Sequence, residues 1–124
     1  MRKIGIFTTP CICFAEHPNY ASRFSSVILA LSISENKSIM KYDGIEYRSY
    51  ENIPLENVYY YDQKEDKYYF LRQIIEQTWD DPEDISEGDL VFHGTSWENA
   101  QKIVEDGFLR CGYNDNSIDK RSIV

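Results

Sequence analysis

The residues able to act on a substrate fall in three places along the chain. Leu90 to Leu109 reads LVFHGTSWENAQKIVEDGFL, in which an apolar run delivers His93 to Gly94 and Thr95 just ahead of a helix. A neutral imidazole at a strand end can fix a hydroxyl near physiological pH, and a glycine beside it lets a ligand approach the backbone closely. Glu46 opens a second strand-like run, Glu46 to Tyr50, after the turn signal Tyr42-Asp43-Gly44-Ile45. In a partly dry pocket such a carboxylate stabilises positive charge as it develops; on a surface it is a strand glutamate beside Arg48. The third place is N-terminal, where Phe7, Thr8 and Tyr20 offer aromatic and hydroxyl groups to a flat ligand or to a core. Cys11-x-Cys13, His17 and Cys111 are four soft donors, but they lack the two paired motifs of a zinc site. Small thiols buried in a packed strand are the favoured reading.

Short elements must position these groups. Lys3 to Thr8 is a β-like run followed by a loop around Pro10, and a short helix is expected over Glu16 to Ser25. Val27 to Ile33 is an apolar, partly β-branched run that suits a buried strand. Ile53 to Tyr61 ends in a tyrosine-rich strand, and Leu90 to His93 forms another. Ser96 is a suitable N-cap for the helix that follows, Glu98 complements its dipole, Ala100, Ile103 and Val104 form its inner face, and Gly107 ends it. Tyr68, Leu71, Ile75 and Trp79 recur at helical spacing, which predicts an amphipathic helix over Lys64 to Trp79.

With 124 residues, 42% hydrophobic and 15% aromatic, the chain suits a single domain, 1–124, with a real core. The expected fold class is α+β with short strands. Of the formal charge of −8, −7 lies between Asp62 and Asp89, where 10 acidic residues meet 3 basic ones. That balance argues against nucleic acid as the main partner, since phosphate binding needs clustered Lys and Arg. No apolar run approaches the roughly 20 residues of a membrane span, and Thr8-Thr9-Pro10 interrupts the apolar start. The expected location is cytoplasmic.

The string from Leu90 to Leu109 resembles the first motif of the ADP-ribosyltransferases of the diphtheria-toxin and poly(ADP-ribose) polymerase type. There a strand ends in His-Gly-Thr and a helix of the form NAxxIxxxGF follows. Gly5-Ile6-Phe7-Thr8-Thr9-Pro10 looks like the family's second motif, G-I-Y-[FT]-[AT], and Asn19-Tyr20-Ala21 sits where the family has a helix beginning NYA or NYC. Gly44 to Tyr50 resembles the third motif, NEYxVY, which holds the catalytic glutamate, and Ile53 to Tyr60 continues as the family does.

The motifs run second, third, first, which is the order a circular permutation leaves: 1–61 carry the second and third, 62–89 form an acidic helical bridge, and 90–124 carry the first. A fragment, or a homodimer with exchanged segments, yields the same order. The resemblance implies an α+β fold with a split β-sheet core and short helices, and NAD as the substrate. It assigns Glu46 and His93 to catalysis, and His93, Gly94, Thr95, Phe7, Thr8 and Tyr20 to holding NAD; charge alone makes Arg23 or Arg110 available to the pyrophosphate. Gly44, two residues before Glu46, speaks against an arginine-specific transferase. The implied activity is transfer of a single ADP-ribose to an acceptor, with protein as the favoured class. The alternative is an inactive module of the same fold that binds NAD, an ADP-ribose derivative or a protein partner.

Overall fold

A computed structural model describes residues 10–24, 26–78, 82, 83, 85 and 89–109. The strands are β1 (Ile12–Ala15), β2 (Val27–Ser32), β3 (Ile39–Asp43), β4 (Glu46–Ser49), β5 (Tyr59–Asp62), β6 (Lys67–Phe70) and β7 (Leu90–Thr95). The helices are α1 (Pro18–Ala21), continued by a 3-10 turn over Ser22–Phe24, α2 (Leu71–Glu76) and α3 (Trp97–Asp106). The strands form one antiparallel sheet in the order β3-β4-β1-β7-β2-β5-β6, so the architecture is α+β.

The middle of the sheet is its most apolar part. All six residues of β2 are buried, and β2 pairs with β7 along its whole length, from Val27 opposite Thr95 to Ser32 opposite Leu90. Strands buried on both faces read as continuous apolar runs rather than alternating ones, which is how Val27 to Leu31 reads. On one face Phe14, Leu29, Leu31 and Val91 pack with Ala100 and Ile103 of α3, Leu71 of α2, and Phe108. On the other, Ile28, Ala30, Tyr59, Tyr68 and Phe92 pack with Ala21 of α1.

Helix α3 begins and ends as its residues dictate. Ser96 Oγ accepts from Asn99 N at 3.0 Å, and Gly107 closes the helix at φ 96°, where a side chain would be strained.

Three elements depart from expectation. The helix predicted over 64–79 is instead a hairpin strand, β6, followed by the six-residue α2. Asp62 Oδ1 accepts from the backbone N–H groups of Lys64 and Glu65 and turns the chain. Tyr68 then stacks on Tyr61 at 4.9 Å and Phe70 on Tyr59 at 5.1 Å, across the strand pair. Cross-strand aromatic pairs outweigh the helical spacing here. The helix expected over 16–25 is shorter than predicted. Strand β1 occupies part of the loop expected around Pro10, and β3 falls in a stretch given no element. Among the described residues no helix is long and apolar enough to cross a membrane.

Leu29, wholly buried at the centre, is expected to cost about 2–5 kcal/mol on Leu29→Ala. Ser96→Ala should cost about 1 kcal/mol. Denaturant unfolding of the two variants beside the parent checks both values and their order.

Candidate functional site

Strands β4, β1 and β7 are neighbours in the sheet although 40 residues lie between Ser49, the end of β4, and Leu90, the start of β7. Glu46 stands opposite Ala15, and Ala15 stands opposite Phe92, beside His93. Two strand spacings, roughly 10 Å, therefore separate the backbones of Glu46 and Phe92. The same register sets Arg48 opposite Cys13.

Between β1 and β7 the ladder has a single pair, Ala15 with Phe92, and beyond it the sheet opens. The next station would set Cys13 against Gly94. Instead the imidazole of His93 enters the seam, with Nδ1 2.7 Å from the Cys13 carbonyl oxygen. A carbonyl only accepts, so Nδ1 carries the proton and Nε2 is left as the acceptor. Burial lowers the His93 pKa from its ordinary value, against the upward pull of the Cys13 carbonyl, so the ring is neutral at pH 7. Its faces meet Phe108 at 5.1 Å and Phe14 at 5.9 Å, both edge-on.

Because side chains alternate along a strand, Glu46, Cys13, Arg48 and Gly94 belong to the face that carries Phe92 and Ala21. His93 is set into the seam with the aromatics of the other face. The structure thus brings Glu46, Cys13 and Gly94 to one surface and sets His93 among the aromatics of the opposite face, without bringing the Glu46 and His93 side chains into contact.

Glu46 Oε2 accepts from Arg48 Nε at 2.8 Å. Arg48 also lies 3.4 Å from the centre of the Tyr42 ring. Burial works against its charge, but hydrogen bonds to Tyr50 and Glu46 and the nearby carboxylate outweigh that and raise its pKa. Among the described residues Oε1 of Glu46 has no hydrogen-bond partner.

Tyr20 is exposed on α1, with the His17 ring at 6.1 Å and the Arg23 guanidinium 5.8 Å from its centre. Helix α1 packs over β7 and β1 through Ala21. An exposed aromatic ring and a cation therefore border the surface that carries Gly94. Thr95 is buried, and its hydroxyl accepts from Asn99 Nδ2 at 3.1 Å, which ties the strand end to α3. Phe7, Thr8 and Arg110 lie outside the described residues, as does Cys111.

Two residues here were not among those singled out for the site. Cys13 lies opposite Arg48 on the face that carries Glu46 and Gly94, and Arg48 engages the glutamate. The signal for Arg48 was present in the i, i+2 spacing from Glu46, which sets two strand residues on one face. Among the described residues no group of three or more His, Cys, Asp or Glu is placed to hold a metal.

Comparison with protein-family models, with curated proteins and with solved structures finds no match to this chain.

The lowered His93 pKa has a sign that can be checked. The unfolded chain takes up a proton near pH 6.5 and the folded one only below that. Stability from the neutral ring is therefore complete above about 6.5 and is lost as the pH falls from there through the native value. Titration of the His93 ring by NMR should give a midpoint below 6.5, and His93→Gln should flatten the fall in stability between pH 7 and 5.

Proposed function

We propose that this chain cleaves NAD at the nicotinamide–ribose bond and transfers a single ADP-ribose to an acceptor, of which protein is the favoured class. One observation carries the reading. The strands bearing the third and the first motif-like stretches, β4 and β7, stand on either side of β1, which leads into Asn19-Tyr20-Ala21, although they lie far apart in the chain; Gly5 to Pro10, read as the second motif, lies outside the described residues.

The observed strand also offers a second register for the second motif. Against the pattern G-I-Y-[FT]-[AT], Cys11-Ile12-Cys13-Phe14-Ala15 agrees at Ile12, Phe14 and Ala15 and leads directly into Asn19-Tyr20-Ala21 of α1. In that register Cys13 stands where the pattern has its aromatic.

The groups then have definite tasks. The Gly94 backbone and the exposed Tyr20 ring receive the nicotinamide, flat against one face. The resemblance gives His93 a ribose hydroxyl, for which its Nε2 is left as an acceptor, although the ring enters the seam from the face opposite Glu46. Bond cleavage leaves a cation-like ribose, and the free Oε1 of Glu46 stabilises it through the 2′-hydroxyl in a site partly shielded from water. Arg23 beside Tyr20 is placed for the pyrophosphate.

A second reading, a module that binds NAD or an ADP-ribose derivative without turnover, is favoured by two of the same residues. Cys13 has no stacking face, and Arg48 offsets the charge of Glu46.

Nicotinamide release by the purified protein, with cell lysate as the acceptor pool, separates the two. Glu46→Gln should lower release by about 100-fold or more while NAD still binds. Parent protein that binds NAD but releases no nicotinamide is the binding module, and protein that neither binds nor cleaves NAD sinks both readings.

A further inference from the structure

We propose that Cys11 and Cys13 form a thiol–disulfide pair, an oxidative modification site at the strand that separates Glu46 from Gly94. Their sulfurs lie 3.9 Å apart and both thiols are free. Two residues apart in extended chain, their Cα atoms are separated by about 6.6–7.2 Å, at or just beyond the upper end of the span a disulfide bridges, about 4.4–6.8 Å. The bridge can close only by shortening the backbone over 11–13. A bridge of that kind is strained, and strained disulfides are the readily reduced, regulatory ones.

The two thiols are unequal in the way the exchange requires. Both thiols are partly exposed, and Cys11 lies just before β1, next to Pro10. Cys13 has its thiol pushed up to about 12, first by burial and then by Cys11 beside it. With its thiol held protonated, Cys13 is the resolving group and the first attack falls to Cys11. Its thiolate displaces one glutathione from glutathione disulfide, forming a Cys11–glutathione bond. The Cys13 thiol gives its proton to water and attacks the Cys11 sulfur, expelling the second glutathione. Two protein thiols are oxidised, one small disulfide is reduced, and the two glutathione thiolates take up the two protons released.

Closure acts on the surface already described. The Cys13 carbonyl holds His93 in its tautomer, and Cys13 stands opposite Arg48, the partner of Glu46. Shortening β1 at this point displaces both. The thiol chemistry stands by itself, while its effect on NAD rests on the reading given above.

The test is titration of the full chain with glutathione disulfide, followed by thiol alkylation and peptide mass mapping. The expected result is loss of two thiols within the one peptide carrying Cys11 and Cys13, reversed by dithiothreitol, retained in Cys111→Ser and absent in Cys11→Ser and Cys13→Ser. A glutathione adduct that persists on Cys11, a link to Cys111, or a link between chains overturns the proposal. Mapping on the parent protein reads the linkage even if a variant fails to fold. It needs no turnover, so a chain that forms the bridge yet never releases nicotinamide refutes the transferase reading alone.

Discussion

The fold depends on one strand that arrives late and goes into the middle. β7 is the last strand in the described chain, yet it separates β1 from β2 and pairs with β2 over six consecutive residues. Until it inserts, β2 lacks a partner on that edge, and Leu29 and Leu31 lack the Val91 side of their core. Long-range pairing of this kind must meet its loop-closure entropy before the contacts repay it. α3 then follows immediately, and its Ala100 and Ile103 close the face over the strand that has just entered. The sheet and its cover are completed by the same twenty residues.

The seam lies on the other edge of β7. β7 is matched to β2 along its full length, whereas it meets β1 only at Ala15 and Phe92. An opened ladder leaves backbone groups that must find other partners. The His93 ring supplies one for the Cys13 carbonyl, and in doing so it fixes its own tautomer. The interaction that repairs the sheet is thus the one that prepares the imidazole. A neutral, oriented acceptor at a parted strand edge needs no separate explanation from function, which is why His93 alone says little about chemistry.

How much of this was legible in the sequence differs from element to element. β2, β7 and α3 were plain because burial on both faces selects unbroken apolar runs, and because Ser96 and Gly107 satisfy helix ends that few other residues can. β1 was hidden. It is four residues long, lies between Pro10 and Pro18, and contains cysteine where β-branched residues would have marked it. β3 was hidden for the opposite reason, since only Ile39 of its five residues is buried and Met40 to Asp43 show no alternation to read. Tyr68 and Leu71 are spaced as on a helix, and only the cross-strand stacking of Tyr68 on Tyr61 and Phe70 on Tyr59 makes a strand up to Phe70, with Leu71 opening α2. For the candidate site, the residue types on β4 and β7 were readable, whereas their meeting across β1 is set by pairing between distant segments.

Arg48 bears most directly on what Glu46 can do. A guanidinium 2.8 Å from a carboxylate weakens the field that the carboxylate presents to a developing cation. The same contact has a second effect. Arg48 is itself held by Tyr42 and Tyr50, so it fixes Glu46 in one orientation with Oε2 engaged and Oε1 directed elsewhere. A strand glutamate otherwise loses rotamer freedom only when it binds, at a cost of about 1.5–2 kcal/mol, and here that ordering precedes the ligand. The two effects oppose each other but act on different quantities. The screening lowers the charge felt at a distance, where solvent at this half-exposed position already lowers it, while the ordering acts on the short hydrogen bond from Oε1, which depends on position more than on net charge. A pair arranged in this way gives up long-range attraction and keeps a directed acceptor, and a directed acceptor is what a ribose hydroxyl requires.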